Sequence, residues 1–164
     1  MNILSILVII PLLMLFILLI SRNQNYVRTV AAVGFGLVLV TSVVITVMFL
    51  NERNISNEAM LLSISKVWYA PLNIHYAVGV DGISIVMILL SAVVALTGVF
   101  SAWNMERDFF IWYCLLAIGV FGFFISLDLF TMFMFYEIAL IPMFLLIGLW
   151  GTDRKSTRLN SSHT

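Results

Sequence analysis

The sequence predicts an all-α, polytopic membrane protein of about five transmembrane helices, with a short extracytoplasmic β strand or hairpin between helices 2 and 3. Three observations carry this expectation. Of the 164 residues, 63% are hydrophobic and 10% are charged, where soluble domains carry about 25% charged residues. Five apolar stretches, residues 3–20, 29–50, 83–103, 109–126 and 129–150, are long enough to span a membrane, because a hydrocarbon core about 30 Å thick takes roughly 20 helical residues. The loop between the second and third stretches alternates apolar and polar side chains, which is the period of a strand.

The first stretch has no basic residues ahead of it and no small-x-small cleavage pattern, and it contains Pro11 among bulky residues. A retained helix therefore fits better than a secretory signal. The second stretch follows Arg22 and Arg28 and runs into the long loop 51–80. In that loop Leu72, Ile74, Tyr76, Val78 and Val80 alternate with Asn73, His75, Ala77 and Gly79. The alternation predicts a half-buried strand stopped by Pro71 and by Asp81-Gly82. Asp81 opens the third stretch, where capping and a functional role are both open. Only Ser126-Leu127-Asp128 separates the fourth and fifth stretches. A single helix over 109–150 would be about twice too long for one crossing, so a tight turn is expected with Asp128 capping the fifth helix. Trp103, Trp112, Tyr113 and Trp150 lie near span ends and read as interface anchors.

Lysine and arginine in short loops set orientation. Arg22 and Arg28 have no acid between them, Arg107 sits beside Glu106 and Asp108, and the long loop carries Arg53 and Lys66 against Glu52 and Glu58. Placing the Arg22/Arg28 loop in the cytoplasm puts the N-terminus and the long loop outside. Formal net charge is zero, so no charged field points to nucleic acid, and the lipid bilayer is the expected surrounding. The string 153–163, Asp-Arg-Lys-Ser-Thr-Arg-Leu-Asn-Ser-Ser-His, breaks the pattern. It reads either as a polar cytoplasmic tail or, by its resemblance to the translation of a widely used sequencing adapter, as non-native sequence. On the second reading residues 1–152 form the five-helix part and residues 153–164 are set aside from functional reasoning.

Few groups inside the spans can do chemistry. Cys114 is the only cysteine and reads as packing. No second histidine accompanies His75 outside the tail, so triads and haem ligation by helix histidines are excluded there, and His75 reads as a solvated residue of an exposed strand face. Gly34-Phe35-Gly36 lies mid-span without a preceding strand and makes no phosphate loop. Met132, Met134 and Met143 read as packing rather than as a copper site. Nothing in these spans is expected to carry an electron.

Glu137 stands out. It is an ionisable carboxyl within the apolar stretch 129–150, and a charge near the bilayer centre costs at least ~2.5 kcal/mol on the lenient insertion scales. The residues one turn away, Phe133, Met134, Leu140 and Ile141, offer it no partner. Pro142, five residues on, has no N–H, so the carbonyl of Ile138 loses its helical donor and a local kink is expected. A carboxyl beside such a break suits a proton or ion site, or else a structural carboxyl that joins helices. The only lysine outside the tail is Lys66, in the outer loop, so a basic partner must come from other sequence.

Two segments carry a family resemblance. Trp68-Tyr69-Ala70-Pro71 followed by His75-Tyr76-Ala77-Val78-Gly79-Val80-Asp81-Gly82-Ile83-Ser84 resembles the loop-to-helix signature of the antiporter-like M-type subunit of NADH–quinone oxidoreductase, respiratory complex I. Phe135-Tyr136-Glu137-Ile138-Ala139-Leu140-Ile141-Pro142 and the residues to Gly151 resemble that family's fifth transmembrane helix. The resemblance covers about residues 1–152 and implies an N-terminal fragment of a subunit of about fourteen helices in the bacterial cytoplasmic membrane. It implies that Glu137 is the fifth-helix glutamate that pairs with a seventh-helix lysine in proton translocation, and that Asp81 and Gly82 belong to a family motif. It further implies that the partners are other membrane subunits, and that NADH, FMN, iron–sulfur clusters and quinone are housed there, with none in this chain. Multi-subunit cation–proton antiporters and membrane-bound hydrogenases share a similar module.

Overall fold

A computed structural model describes residues 3–55, 58, 60–72 and 74–151; the expectations for Asn73 and for the tail after Gly151 lie outside these residues. Five helices follow the five apolar stretches: α1 (Ile3–Ile20), α2 (Gln24–Arg53), α3 (Gly82–Ser101), α4 (Arg107–Ile125) and α5 (Leu129–Trp150). All five are long and apolar enough to cross a membrane. The chain is a multi-pass membrane protein. α2 is longer than its apolar stretch because Asn23 caps it early, accepting from the Asn25 N–H at 3.1 Å, and because the helix continues through the polar Asn51, Glu52 and Arg53.

The expected hairpin forms between α2 and α3. Strand β1 (Leu61–Tyr69) pairs antiparallel with β2 (Ile74–Val80). The register shifts between Leu61 and Ile64, where Leu62 takes φ 55°, in the left-handed region that one kind of bulge uses. β2 differs from the expected half-buried strand. Ile74 to Ala77, His75 included, are all half-buried, and Val78, Gly79 and Val80 are all buried, so the alternation does not separate a wet face from a dry one. The reason is tertiary: the α4–α5 turn closes over the strand. The Leu127 N–H donates to Ala77 O at 2.8 Å, and Ser126 bridges Val78. A Cβ on Gly79 would sit 2.8 Å from Leu127 Cδ1, so a larger residue here would push the Leu127 side chain aside.

α4 lies at the centre of the bundle and packs against α1, α2, α3 and α5. Its buried residues, among them Phe110, Cys114, Ala117, Ile118, Phe121 and Ile125, point in several directions. α1 instead buries one narrow stripe, Leu4, Leu7, Pro11, Met14 and Leu18. Small residues set the close crossings, as in membrane bundles generally: a Cβ on Gly34 would strike the Met14 side chain, and one on Gly98 would strike the Tyr113 hydroxyl. Tyr113, expected as an interface anchor, turns inward. It donates to Ala95 O at 3.0 Å and stacks with Phe109. Cys114 is buried packing, as expected.

Asp81 is a helix cap. Its carboxylate accepts the Ser84 N–H at 2.7 Å, and that bond holds its pKa below the ordinary 3.8. A depressed native value stabilises the fold above the ordinary value, and the gain is lost as pH falls through the native one. Asp81 is half-buried at a helix end, where water still screens the carboxylate, so the effect is small. Asp81→Ala is expected to cost about 1 kcal/mol and Asp81→Asn far less, read as denaturation midpoints at neutral pH. Gly82 meets nothing within 4 Å of an added Cβ, and Gly82→Ala is expected to leave those midpoints unchanged or slightly higher.

Candidate functional site

The site is built on α5, whose rotational setting is determined by four inward residues. Asp128 caps the helix, accepting from the Phe130 and Thr131 N–H groups at 3.1 Å each, and buried Thr131 lies under β2 with its hydroxyl 3.4 Å from His75 O. Further along, Ala139 backs directly onto Gly119 of α4, where an added Cβ would lie 2.6 Å from the Ala139 nitrogen. Phe135 fills the space over Gly122 in the same way. Pro142 is the other buried residue of α5.

At about 100° per residue, Phe135, Ala139 and Pro142 all lie roughly 140–160° around the helix from Glu137. Glu137 therefore points away from the bundle and is exposed. Around it Phe133, Ile141 and Phe144 are 60%, 59% and 77% exposed, a lipophilic face with one carboxyl set in it. Glu137 lies about 12 Å along a helix roughly 33 Å long, well inside the hydrocarbon depth. Among the described residues no hydrogen bond or ion pair reaches the Glu137 side chain.

The structure brings some expected site residues together and separates others. Glu137, Ile138 and Pro142 share α5, but Pro142 packs inward while Glu137 faces outward, and α5 is one uninterrupted helix through both. Ile138, whose carbonyl Pro142 leaves without its helical donor, is half-buried. Asp81 and Gly82 belong to the start of α3, at the hairpin end, away from Glu137. Met143 is 48% exposed, and Met132 and Met134 are half-buried. Among the described residues no cluster of three metal-ligating side chains occurs. Gly119 and Gly122, which seat α5 on α4, escaped the sequence reading, although two glycines three residues apart in an apolar span signal a close helix crossing.

Fold and site together define a class: a five-helix membrane module that carries one outward carboxyl at bilayer depth. Residues 126–161, which contain α5, match the family model described as the NADH:quinone oxidoreductase/Mrp antiporter transmembrane family. NADH-quinone oxidoreductase subunit M of Buchnera aphidicola subsp. Schizaphis graminum is 34% identical over 94% of this chain and 32% of its own length. NAD(P)H-quinone oxidoreductase chain 4 2 of Microcystis aeruginosa is 30% identical over 93% of this chain and 28% of its own. A chain of the membrane-bound sulfane sulfur reductase, an archaeal respiratory membrane complex, superposes with a TM-score of 0.71 at 17% identity, over 89% of this chain and 23% of that one; it shares the fold. The chain belongs to the family of antiporter-like membrane subunits that includes subunit M and chain 4 of these oxidoreductases, and it spans about a third or less of the length of these relatives.

Proposed function

We propose that the chain is part of a proton-translocating membrane subunit of an NADH–quinone oxidoreductase, with Glu137 as a relay carboxyl. The observation that carries this reading is the outward direction of Glu137 at mid-span without a partner among the described residues. Lipid does not solvate a carboxylate, so protein or water covers this face. A basic partner favours the charged form and desolvation the neutral one, and a carboxyl held between them changes protonation when the partner moves. This chain matches only 32% of the length of subunit M of Buchnera aphidicola, which leaves room for a further helix with such a partner. NADH, FMN, iron–sulfur and quinone chemistry belong, in this reading, to other subunits. The test is NADH-driven acidification of membrane vesicles that carry the intact complex, measured with and without a titratable group at position 137.

A second reading, a subunit of a multi-subunit cation–proton antiporter, follows from the antiporter half of the family description. Gene neighbours separate the two: quinone-module genes beside this one support the first, and antiporter genes alone support the second. The locus also tests the adapter reading of residues 153–164, and a natural stop codon just after Thr164 sinks it. The family match itself runs to residue 161, so the locus decides.

Orientation follows from charge. The helices alternate in direction, so one end gathers Arg22, Arg28 and Arg107, and the other gathers the hairpin, Asp81 and Asp128. The arginine end is cytoplasmic in this proposal, which places the N-terminus and hairpin outside. An impermeant thiol reagent is expected to label Lys66→Cys in intact cells and Arg22→Cys only after permeabilisation. Cys114 is buried and gives little background. The reverse labelling overturns the topology.

A further inference from the structure

The register of the hairpin slips a second time, near its tip. Val67 faces His75 and Tyr69 faces Ile74, which leaves Trp68 as an extra residue. Neighbours on a regular strand point to opposite faces, but an extra residue re-aims them. Trp68 and Tyr69 accordingly line one pocket, about 340 Å3 in volume, together with Ile74, Phe130 and Met134. Sites for small molecules run from about 300 Å3 upward, and both rings are exposed and open to a ligand.

Two of the lining residues place this pocket on the face of α5 that carries Glu137. At about 100° per residue, Phe130 and Met134 lie roughly 20° and 60° around the helix from Glu137. Met134 is about one turn nearer the hairpin, a rise of about 4.5 Å, and Phe130 about two turns, a rise of about 10 Å. The wall of the pocket and the carboxyl thus follow one stripe, with aromatic rings at the hairpin end and a single carboxyl below them. Among the described residues nothing bonds to the Glu137 side chain, and α5 carries no other charged residue.

We propose that the pocket and Glu137 together bind a lipophilic organic cation, its aromatic body among Trp68, Tyr69 and Phe130 and its ammonium at the Glu137 carboxylate. Apolar walls alone would take any greasy molecule. The lone carboxylate selects for charge, because an ion at this depth is costly unless an opposite charge meets it. The faces of Trp and Tyr attract cations as well as other rings, and the Met134 thioether suits an aromatic edge. The inference rests on the reading of Glu137 as a carboxyl that takes a cationic partner from outside this chain, and it names a ligand that supplies the cation itself.

The probe is phenylbutyl-trimethylammonium, whose charge does not depend on pH and whose alkyl chain sets ring and charge apart. Binding to the full chain in neutral maltoside micelles is measured by calorimetry against empty micelles. The wild type is expected to bind the ammonium and to reject phenylpentanoate, which carries the same ring and the opposite charge. Glu137→Gln is expected to weaken binding about tenfold or more, while Glu106→Gln, which removes an exposed carboxyl at the arginine end, leaves it unchanged. Trp68→Ala is expected to weaken it about fivefold. Met134→Ala trims the pocket from the α5 side, is expected to weaken binding too, and decides the matter if Trp68→Ala disturbs the hairpin. Equal binding of the two probes overturns the proposal, as does unchanged affinity in Glu137→Gln, in Met134→Ala, or in Trp68→Ala with its hairpin intact. Pumping plays no part in this readout, so failed binding here and a failed relay in the intact complex are separate results.

Discussion

Glu137→Gln is expected to abolish NADH-driven proton pumping in the assembled complex, a loss of about a hundredfold if the carboxyl transfers protons in the way positioned acid–base groups do. The amide keeps the size of the side chain and its capacity for hydrogen bonds but cannot titrate. Assembly is therefore expected to stay intact, since the residue makes no contact with the bundle that the amide would break. The measurement is vesicle acidification normalised to the amount of assembled complex. Unimpaired pumping removes the relay role. Loss of assembly together with pumping instead assigns Glu137 to the structural joining of helices. Glu137→Asp keeps the titration and withdraws it by one methylene, and is expected to retain part of the activity.

Gly119→Ala is expected to destabilise the bundle by about 1–3 kcal/mol, the ordinary cost of overpacking, because the added methyl would meet backbone and not a side chain that can swing aside. The Ala139 nitrogen and Cα lie 2.6 and 2.8 Å from its ideal position. The whole of α5 must then shift or rotate, and with it the direction of Glu137. Gly119→Leu is expected to be worse and to separate α4 from α5. Gly36→Ala provides the contrast: nothing lies within 4 Å of an added Cβ there, and removing a mid-helix glycine stabilises by up to about 1 kcal/mol. Denaturation midpoints in mixed micelles check both, and equal midpoints for Gly119→Ala and the wild type would remove Gly119 as the close contact that sets α5.

The helices were legible because their signal is local. Each span repeats apolar residues over the bilayer's thickness, and Asp81 and Asp128 announce the starts of α3 and α5 by the chemistry of capping. The hairpin was legible in part: alternation over residues 72–80 found β2, while its partner β1, rich in exposed residues, had no comparable pattern. The burial of β2 was not legible, because the cover comes from Ser126 and Leu127, some fifty residues away in sequence.

The sequence alone determined that this chain crosses a membrane five times, that the fourth and fifth crossings are joined by a tight turn, and that one carboxyl lies at bilayer depth. These follow from hydropathy, span length and capping, which act along the chain. Only the tertiary structure decided which way that carboxyl faces. The direction depends on where α4 accepts α5, and Gly119 and Gly122 admit Ala139 and Phe135 there, turning Pro142 inward and Glu137 out. Helix rotation is a property of the contact between two surfaces, and an almost uniformly apolar helix carries no stripe from which it can be read.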